Sequence, residues 1–573
     1  MGRKKPVRYT ADFETTTELD DCRVWGIGLC NIDNFDEYHE YNNLDDFFKF
    51  IEKNNGAYYF HNLKFDGSFI IDYLLKNGFE YSEKMKPKTF NSVISEMGAW
   101  YTIKITYDVK GKNSKTTTIY DSLKKLPFPV KKIAKDFNLP IQKGDIDYKL
   151  YRPVDHVITK EESSYLRNDV EIMARALKIQ FDEGQTKMTI GSDALNSFKT
   201  MLGGNANFKK YFPVLESHID NFIRKSYKGG FTWVNPLIQG KTLKNGMVFD
   251  VNSLYPSIMY NNLLPYGVPV YFKGKYQQDD TYPLFIQNVK VEFSIKENMI
   301  PTIQIKGSKF FKGNEYLNTT DGEVVNLHLT NQDLELLLEH YDIHYIEYVG
   351  GFKFMGVKGI FKKYIDTWGE IKKTSQGAIK QLAKLMLNNL YGKFATNPDV
   401  TKKIPVLSSD GVVRYVTGEQ ETKEPVYTAM GSFITAGARY KTIKTAQSVY
   451  DRICYCDTDS IHITGTEPPN IEIDDNELGY WQHESNFIRA RFLRQKTYIE
   501  DTITKNVNGK IVVGNHNDYD NVKLNVVCAG MPDTVKEKIN FDNFHIGFKS
   551  DGKLMPKRVS GGTVLVDSTF TIK

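Results

Sequence analysis

Tyr455-Cys456-Asp457-Thr458-Asp459-Ser460 sets two carboxylates two residues apart between apolar segments that read as the arms of a β-hairpin. Asp is a common turn former, so such a pair on its own is most often a solvated turn. About two hundred residues upstream, Gly246-Met247-Val248-Phe249-Asp250-Val251-Asn252-Ser253-Leu254-Tyr255-Pro256 runs as an apolar strand into Asp250 and then into a turn closed by Tyr255 and Pro256. Together the two stretches place Asp250 and Asp459 on adjacent strands, where they can clamp ions for in-line displacement at a phosphate. Period-two alternation puts Thr458 on the opposite face and gives Asp457 and Asp459 one face. All-oxygen ligation favours Mg²⁺ or Mn²⁺ over zinc, and sparse protein ligation suits a site completed by nucleotide phosphates.

Between these acids the stretch from Lys380 to Tyr391 reads as a helix. At 100° per residue, Lys380, Lys384, Asn388 and Tyr391 fall within about 80° of arc, and Leu382, Leu385, Met386 and Leu390 group opposite them. One face packs and the other meets substrate. A Lys-rich amphipathic helix is by itself an ordinary solvated surface, and its position between the two acid strands gives it a nucleotide-facing reading.

A second carboxylate set lies near the N-terminus. The strand ending Ala11-Asp12-Phe13-Glu14-Thr15-Thr16 puts Asp12 and Glu14 on one face, and Asp66 follows in Tyr59-Phe60-His61-Asn62-Leu63-Lys64-Phe65-Asp66-Gly67. Tyr165 and Asp169 stand one turn apart on a predicted helix and share a face. Four acids and a phenol supply ligands for two metals and a hydroxyl to orient attacking water, the inventory for phosphodiester hydrolysis.

Composition bounds the rest. The 573 residues are enough for roughly four domains. A 40% hydrophobic and 13% aromatic content excludes a disordered chain and offers stacking platforms for bases. The net charge of +5 is modest, but Lys362 to Lys403 holds nine Lys against three acids, and Lys124 to Lys143 six against one. Five cysteines without zinc-like spacing, and a basic start lacking an apolar segment, point to a reducing compartment and no secretion. No apolar run approaches 18 residues, so no membrane partner is expected. Strands are predicted at Val7 to Phe13, Arg23 to Cys30 and Ala57 to Phe60, and helices at Leu44 to Glu52, Phe69 to Lys76 and Glu161 to Phe181. This is an α/β pattern with a boundary near Met188 to Ser192. A hairpin is predicted between Pro398 and Glu424, with its turn at Ser408 to Gly411 and with Lys402 and Lys403 either as phosphate contacts or as solubilising charges on an exposed edge.

The N-terminal acids resemble the three exonuclease motifs of proofreading DNA polymerases, and Asp250-to-Pro256 with Tyr455-to-Ser460 resembles motifs A and C of family B. The chain is most similar to the protein-primed subgroup, the phi-29-type phage DNA polymerases. Ser122-Leu123-Lys124-Lys125-Leu126-Pro127-Phe128-Pro129, Tyr227-Lys228-Gly229-Gly230-Phe231, Gln381-to-Ala395, Leu493-to-Tyr498 and the tail Val564-to-Lys573 carry the likeness. Lys228 stands where a close relative carries Arg, and Gly437 where it carries a bulky aromatic.

The resemblance implies an α/β and α+β multidomain fold: an RNase H-like 3′–5′ exonuclease domain at 1–190 followed by a right-hand polymerase. It implies palm at 191–260 and 427–530, fingers at 360–395, thumb at 531–573, and terminal-protein-region insertions at 261–359 and 396–426. It makes Asp250 and Asp459 direct metal ligands with Asp457 behind them, Tyr255 the steric gate, and Lys372, Lys384 and Tyr391 nucleotide contacts. Lys496 and Tyr498 are implied holders of the primer terminus, and Tyr227, Gly229 and Gly230 a linker motif balancing synthesis and editing. For the editing site it implies Asp12, Glu14, Asp66 and Asp169 as ligands, Tyr165 and Lys143 as catalytic helpers, and Asn62, Phe65, Ser122, Leu123 and Tyr148 as single-strand contacts. Two Mg²⁺ or Mn²⁺ ions per site, primer-template DNA, dNTPs and a terminal protein acting as primer are the implied cofactors and partners, in the cytoplasm of an infected bacterium. High processivity and strand displacement are implied with the insertions. A stand-alone nuclease and a non-catalytic scaffold recruiting a protein primer are the alternatives, both disfavoured because the two carboxylate sets are intact.

Overall fold

Val7–Thr15 is the organising strand of the N-terminal region, pairing antiparallel with Val24–Asn31 and parallel with Gly56–Phe60. It belongs to an eight-stranded mixed sheet in the order Tyr38–Tyr41, Val24–Asn31, Val7–Thr15, Gly56–Phe60, Asn113–Asp121, Trp100–Lys110, Thr89–Ile94, Glu80–Tyr81. The computed structural model describes residues 7–111, 113–148, 150–304 and 316–573, so the basic start read above lies outside the described residues. Beneath one face of the sheet Phe13 meets Phe47 and Phe60 edge-on, at 5.1 and 4.9 Å between ring centroids. Ile27, Leu29, Phe60 and Phe69 are fully buried, each contributing about 1.5–3 kcal/mol of transfer free energy.

Against the other face lies the helix Lys160–Asp182. It starts at Thr159, whose side chain accepts from the Glu162 backbone N–H while Glu162 reaches back, a reciprocal cap. The helix comes close because Gly26 and Gly28 face it: a Cβ at Gly28 would sit 3.2 Å from the Leu166 carbonyl oxygen. Thr10 Oγ1 donates to the Val170 carbonyl at 2.7 Å and fixes the helix against the acid-bearing strand. The chain then turns over 183–189 into the helix Ile190–Met201, where the buried Lys125 Nζ donates to the carbonyls of Gln185 and Lys187 and pairs with Asp193.

A second sheet runs Lys510–Val513, Thr497–Val507, Trp481–Arg494, Thr242–Val251, Ser460–Thr464, Ile453–Asp457, Thr232–Val234, with Asn521–Cys528 also on Thr497–Val507. The largest apolar core lies under it and is shared with the helices Leu254–Asn261, Gly377–Phe394 and Thr428–Ser448. A four-stranded sheet, in the order Leu263–Lys273, Tyr341–Lys358, Leu284–Ile295, Val325–Thr330, forms a separate layer with its own core.

Two further hairpins stand apart: Asp399–Leu407 with Val413–Thr422, and Lys549–Val559 with Gly562–Thr571. The first docks on the N-terminal sheet. The Glu96 backbone N–H donates to the Thr401 carbonyl at 2.9 Å, Val413 enters the N-terminal core, and Tyr415 meets Trp100 edge-on. Its Lys402 lies 3.4 Å from Glu83 of the N-terminal region and 3.3 Å from Glu421 of its own hairpin.

Candidate active sites

The first site is built where Val7–Thr15, the start of the helix Asp66–Lys76 and the middle of Lys160–Asp182 converge. Asp66 Oδ1 accepts from the Phe13 backbone N–H at 3.2 Å, which ties the second acid segment to the strand carrying Asp12 and Glu14. Glu14, Asp66, Tyr165 and Asp169 are all at least nine-tenths buried. Burial, then the neighbouring Asp169, pushes the Asp12 carboxyl up to about 7. Burial and then Asp12 hold Glu14 and Asp66 well above the usual carboxylate range. Lys143 ion-pairs with Asp169 Oδ2, and its cation lies 5.2 Å from the Tyr165 ring centre. Burial alone would lower the Lys143 ammonium, but Asp169 lifts it above its ordinary value. The Tyr165 and Tyr148 hydroxyls are 2.5 Å apart, and Asp169 Oδ1 is buried without a hydrogen-bond partner.

Beside these acids, Asp121 Oδ1 accepts from the backbone N–H groups of Asn62 and Leu123, both at 3.0 Å. Asn62 thereby holds a left-handed conformation, φ 69°. Ser122 Oγ donates to the Phe60 carbonyl and meets His61 Nδ1, each at 3.0 Å. Asn62 and Phe65 line a cavity of about 970 Å³ that is closed on its far side by Arg414, Tyr415, Arg558 and Leu565 of the two hairpins. Tyr148 stands half-exposed at the mouth of the acid cluster. Asp121, which organises this segment, was not anticipated; the sequence marks it only as another turn-forming Asp.

The second site lies on the second sheet. Asp250 is paired with Ser460 on one side and Gln482 on the other, and the Val251 backbone N–H donates to the Asp459 carbonyl at 2.7 Å. Burial, then Asp459, then Glu484 push Asp250 up to about 8. Burial also raises Asp459, with Asp457 and Glu484 adding to it and Lys496 opposing. The expectation that Asp457 and Asp459 share a strand face is corrected. Asp457 ends one strand, Ser460 begins the next, and Thr458-Asp459 is the two-residue turn between them, with Thr458 at φ 64°. Strand alternation stops at a turn, so Asp457 is directed elsewhere. It accepts from Lys496 Nζ at 2.8 Å and the Tyr455 hydroxyl at 3.1 Å.

Glu484 was missed. The register runs Val248 to Ser485 and Phe249 to His483, so Glu484 is the extra residue of a β-bulge, a device that re-aims a side chain. No run of residue types announces such a bulge.

Around these acids a cavity of about 390 Å³ is lined by Asp250, Ser253, Tyr255, Lys372, Lys384, Asn388, Tyr391 and Asp459. The Tyr255 and Tyr391 rings stack at 4.0 Å with 19° between planes. Lys384 and Asn388 are exposed and Leu382, Leu385, Met386 and Leu390 buried, the two faces expected of this helix. Lys380 instead lines an adjoining cavity with Lys372 and Lys373. Burial, and then Lys384, Lys380 and Lys373, lower the Lys372 ammonium. Among the described residues none of these four lysines is in an ion pair, which leaves their charge for an anion.

Among the described residues no three His, Cys, Asp or Glu side chains converge tightly enough to cage an ion as they stand. The donor sets nonetheless fit a hard cation. They are carboxylates crowded at mutual cost, with one buried oxygen of Asp169 unpartnered, and a divalent charge relieves that crowding.

Residues 49–478 match the family model described as DNA polymerase type B, organellar and viral. The chain belongs to the type B DNA polymerases. It is 56% identical over 568 residues to the DNA polymerase of Bacillus phage phi29, covering 99% of each chain, and 35% identical over 588 residues to that of Streptococcus phage Cp-1, covering 99% of this chain and 98% of that one. The solved phi29 DNA polymerase complexed with primer-template DNA and incoming nucleotide substrates matches with a TM-score of 0.95 at 55% identity, covering 99% of this chain and 100% of that one. The complex with single-stranded DNA matches with a TM-score of 0.96 at 54% identity and the same coverage. Within this phi29-type polymerase, Gly437 lies on Thr428–Ser448 where that helix crosses Leu254–Asn261. A Cβ there would come within 2.8 Å of Ile258 Cγ2, so the glycine sets how closely the helix bearing Tyr255 is backed.

Proposed function

We propose that this DNA polymerase extends a primer by two-metal nucleotidyl transfer at Asp250 and Asp459 and edits it by 3′–5′ hydrolysis at Asp12, Glu14, Asp66 and Asp169. The observation that carries the reading is the shared cavity in which two mutually repelling carboxylates face a stacked tyrosine pair and unpaired lysines. Two Mg²⁺ or Mn²⁺ ions, when bound, lower the pKa of the primer 3′-hydroxyl and neutralise charge on the departing pyrophosphate. Lys384 and Lys372 take the triphosphate. The Tyr255 ring, backed by Tyr391, closes the space beneath the sugar and excludes a ribose 2′-hydroxyl. Asp457 holds Lys496, and Lys496 with Tyr498 steadies the primer end, so Asp457 acts on DNA position and not as a direct ligand.

At the editing site the Tyr165 hydroxyl, held by Tyr148, orients the attacking water, and Lys143 offsets charge at the scissile phosphate. Asn62, Phe65, Ser122 and Leu123 receive the single strand. In this reading residues 1–190 are the exonuclease domain, 191–260 and 427–530 palm, 360–395 fingers and 531–573 thumb, with insertions at 261–359 and 396–426. The docking of the 399–422 hairpin between the N-terminal sheet and the C-terminal hairpin supports an arch around duplex, hence processive synthesis with strand displacement. Priming on a terminal protein, in an infected bacterial cell, is part of the same proposal and rests on family likeness.

Incorporation of labelled dNTP on a primed template with Mg²⁺, with and without a candidate primer protein, tests it. Failure to extend any primer would sink the reading.

A further inference from the structure

The adjacent glycines of Tyr227-Lys228-Gly229-Gly230 sit in unlike surroundings. A Cβ built on Gly229 meets nothing within 4 Å, whereas one on Gly230 would lie 2.6 Å from Thr458 Cγ2, 2.7 Å from its Oγ1 and 3.0 Å from its Cβ. Gly230 is absent from the residues with positive φ, so its requirement is space and not backbone conformation. Thr458, by contrast, is a β-branched residue held at φ 64°, a conformation that persists only where the surroundings over-determine it. Those surroundings are visible: the Thr458 backbone N–H donates to the Phe231 carbonyl at 2.7 Å, and its carbonyl accepts from Thr442 Oγ1 at 2.7 Å. The residue that follows is Asp459, whose own backbone N–H closes on the Asp457 carbonyl at 2.7 Å.

We infer that Gly230 is a positioning residue for nucleotidyl transfer. Its missing side chain lets the linker loop seat on Thr458 and brace the strained turn that aims Asp459, while Gly229 alone is open to a DNA backbone. The inference rests on the polymerase reading above.

Single-turnover incorporation by Gly230→Ala tests it. The expected result is a kcat at least tenfold lower and a higher Mg²⁺ requirement, with dNTP KM and the primer-template Kd measured in Ca²⁺ held within twofold. A far-UV circular dichroism spectrum and Tm matching those of the wild-type chain show that the variant is folded. Thr458→Gly in the Gly230→Ala background removes the side chain that the new methyl strikes and should restore extension towards the rate of Thr458→Gly alone. Unchanged kcat in Gly230→Ala, or a loss that tracks weaker DNA binding and is not rescued by Thr458→Gly, overturns the inference. A wild-type chain that extends no primer would instead overturn the polymerase reading.

Discussion

The two carboxylate sites answer the same electrostatic problem in opposite ways. The N-terminal set is enclosed: three of its four acids are at least nine-tenths buried, a lysine is paired to one of them, and two tyrosines close its edge. The set on the second sheet is open. Asp250 and Asp459 are only half-buried, Glu484 is exposed, and the cavity lysines Lys372 and Lys384 stand on two helices, Lys362–Thr374 and Gly377–Phe394, in no ion pair with Asp250 or Asp459. An enclosed, self-compensated site suits one flexible strand fed into it, whereas an open pair depends on substrate phosphates to complete the coordination of a hard cation. Function at the two sites should therefore be separable, and each should fail in its own way.

The sharpest break of that comparison is removal of ligands. Asp459→Ala or Asp250→Ala should lower primer extension by at least ~1,000-fold while leaving single-strand degradation intact, and Asp12→Ala with Asp66→Ala should do the reverse. Gel assays of both activities on one preparation decide it. Loss of both activities from a folded single-site variant would mean that the sites are not independent.

A smaller effect is expected at the sugar pocket of the open site. Tyr255→Val removes the ring stacked on Tyr391 and should relax discrimination against ribonucleotides by ~10–100-fold, the range for a steric distinction of a few atoms. Side-by-side kcat/KM for rNTP and dNTP reads this directly, and an unchanged ratio places the gate elsewhere.

Smaller still at the level of chemistry is the effect expected of the two hairpins, proposed above to form an arch between the two regions. Ser560 of the C-terminal hairpin accepts from Lys76 Nζ at 2.9 Å and lies against Gly411 at the tip of the other hairpin, so both hairpins and the end of the helix Asp66–Lys76 meet there. Deleting 408–411 should shorten products made in one binding event several-fold and impair synthesis through duplex, with single-nucleotide incorporation retained. Primer extension with a trap, on gapped and open templates, is the measurement. Full-length products through duplex would remove the hairpin from the mechanism.

Much of the enclosed site was legible because its acids obey local periodicities: Asp12 and Glu14 lie two apart on one strand, and Tyr165 and Asp169 four apart on one helix. The two faces of Gly377–Phe394 were legible for the same reason. What escaped is set by departures from period. Alternation misplaced Asp457 because Thr458-Asp459 is a turn, a bulge brings Glu484 to the site, and Asp121 reaches the Asn62 backbone N–H from far along the chain. The commitment of Lys402 to Glu83 joins residues of two separate elements and was likewise out of reach of local pattern.

The last way to sharpen the comparison uses protons. A carboxyl whose pKa is higher in the fold than in the unfolded chain binds its proton more tightly when folded. Without divalent metal, stability should therefore fall as pH rises from about 4, the unfolded value, through about 7 at Asp12 and about 8 at Asp250. Because burial raises Asp12, Glu14, Asp66 and Asp169 together, and repulsion from neighbouring carboxylates adds to it at the first three while Lys143 opposes it at Asp169, the enclosed site should carry most of this loss. In EDTA, the Tm of the first unfolding transition should drop between pH 5 and pH 8, at ~2–4 °C for each kcal/mol lost. Mg²⁺ at pH 8 should recover it, since ions that bind only the folded chain stabilise it. Asp12→Asn with Asp66→Asn should flatten the EDTA profile, and Asp250→Asn should do so much less, because its partner Asp459 is less crowded. Thermal scans across pH, with and without Mg²⁺, provide the check. Equal flattening by the two changes would mean that the enclosed and open sites hold their charge at the same cost, and the contrast drawn between them would fail.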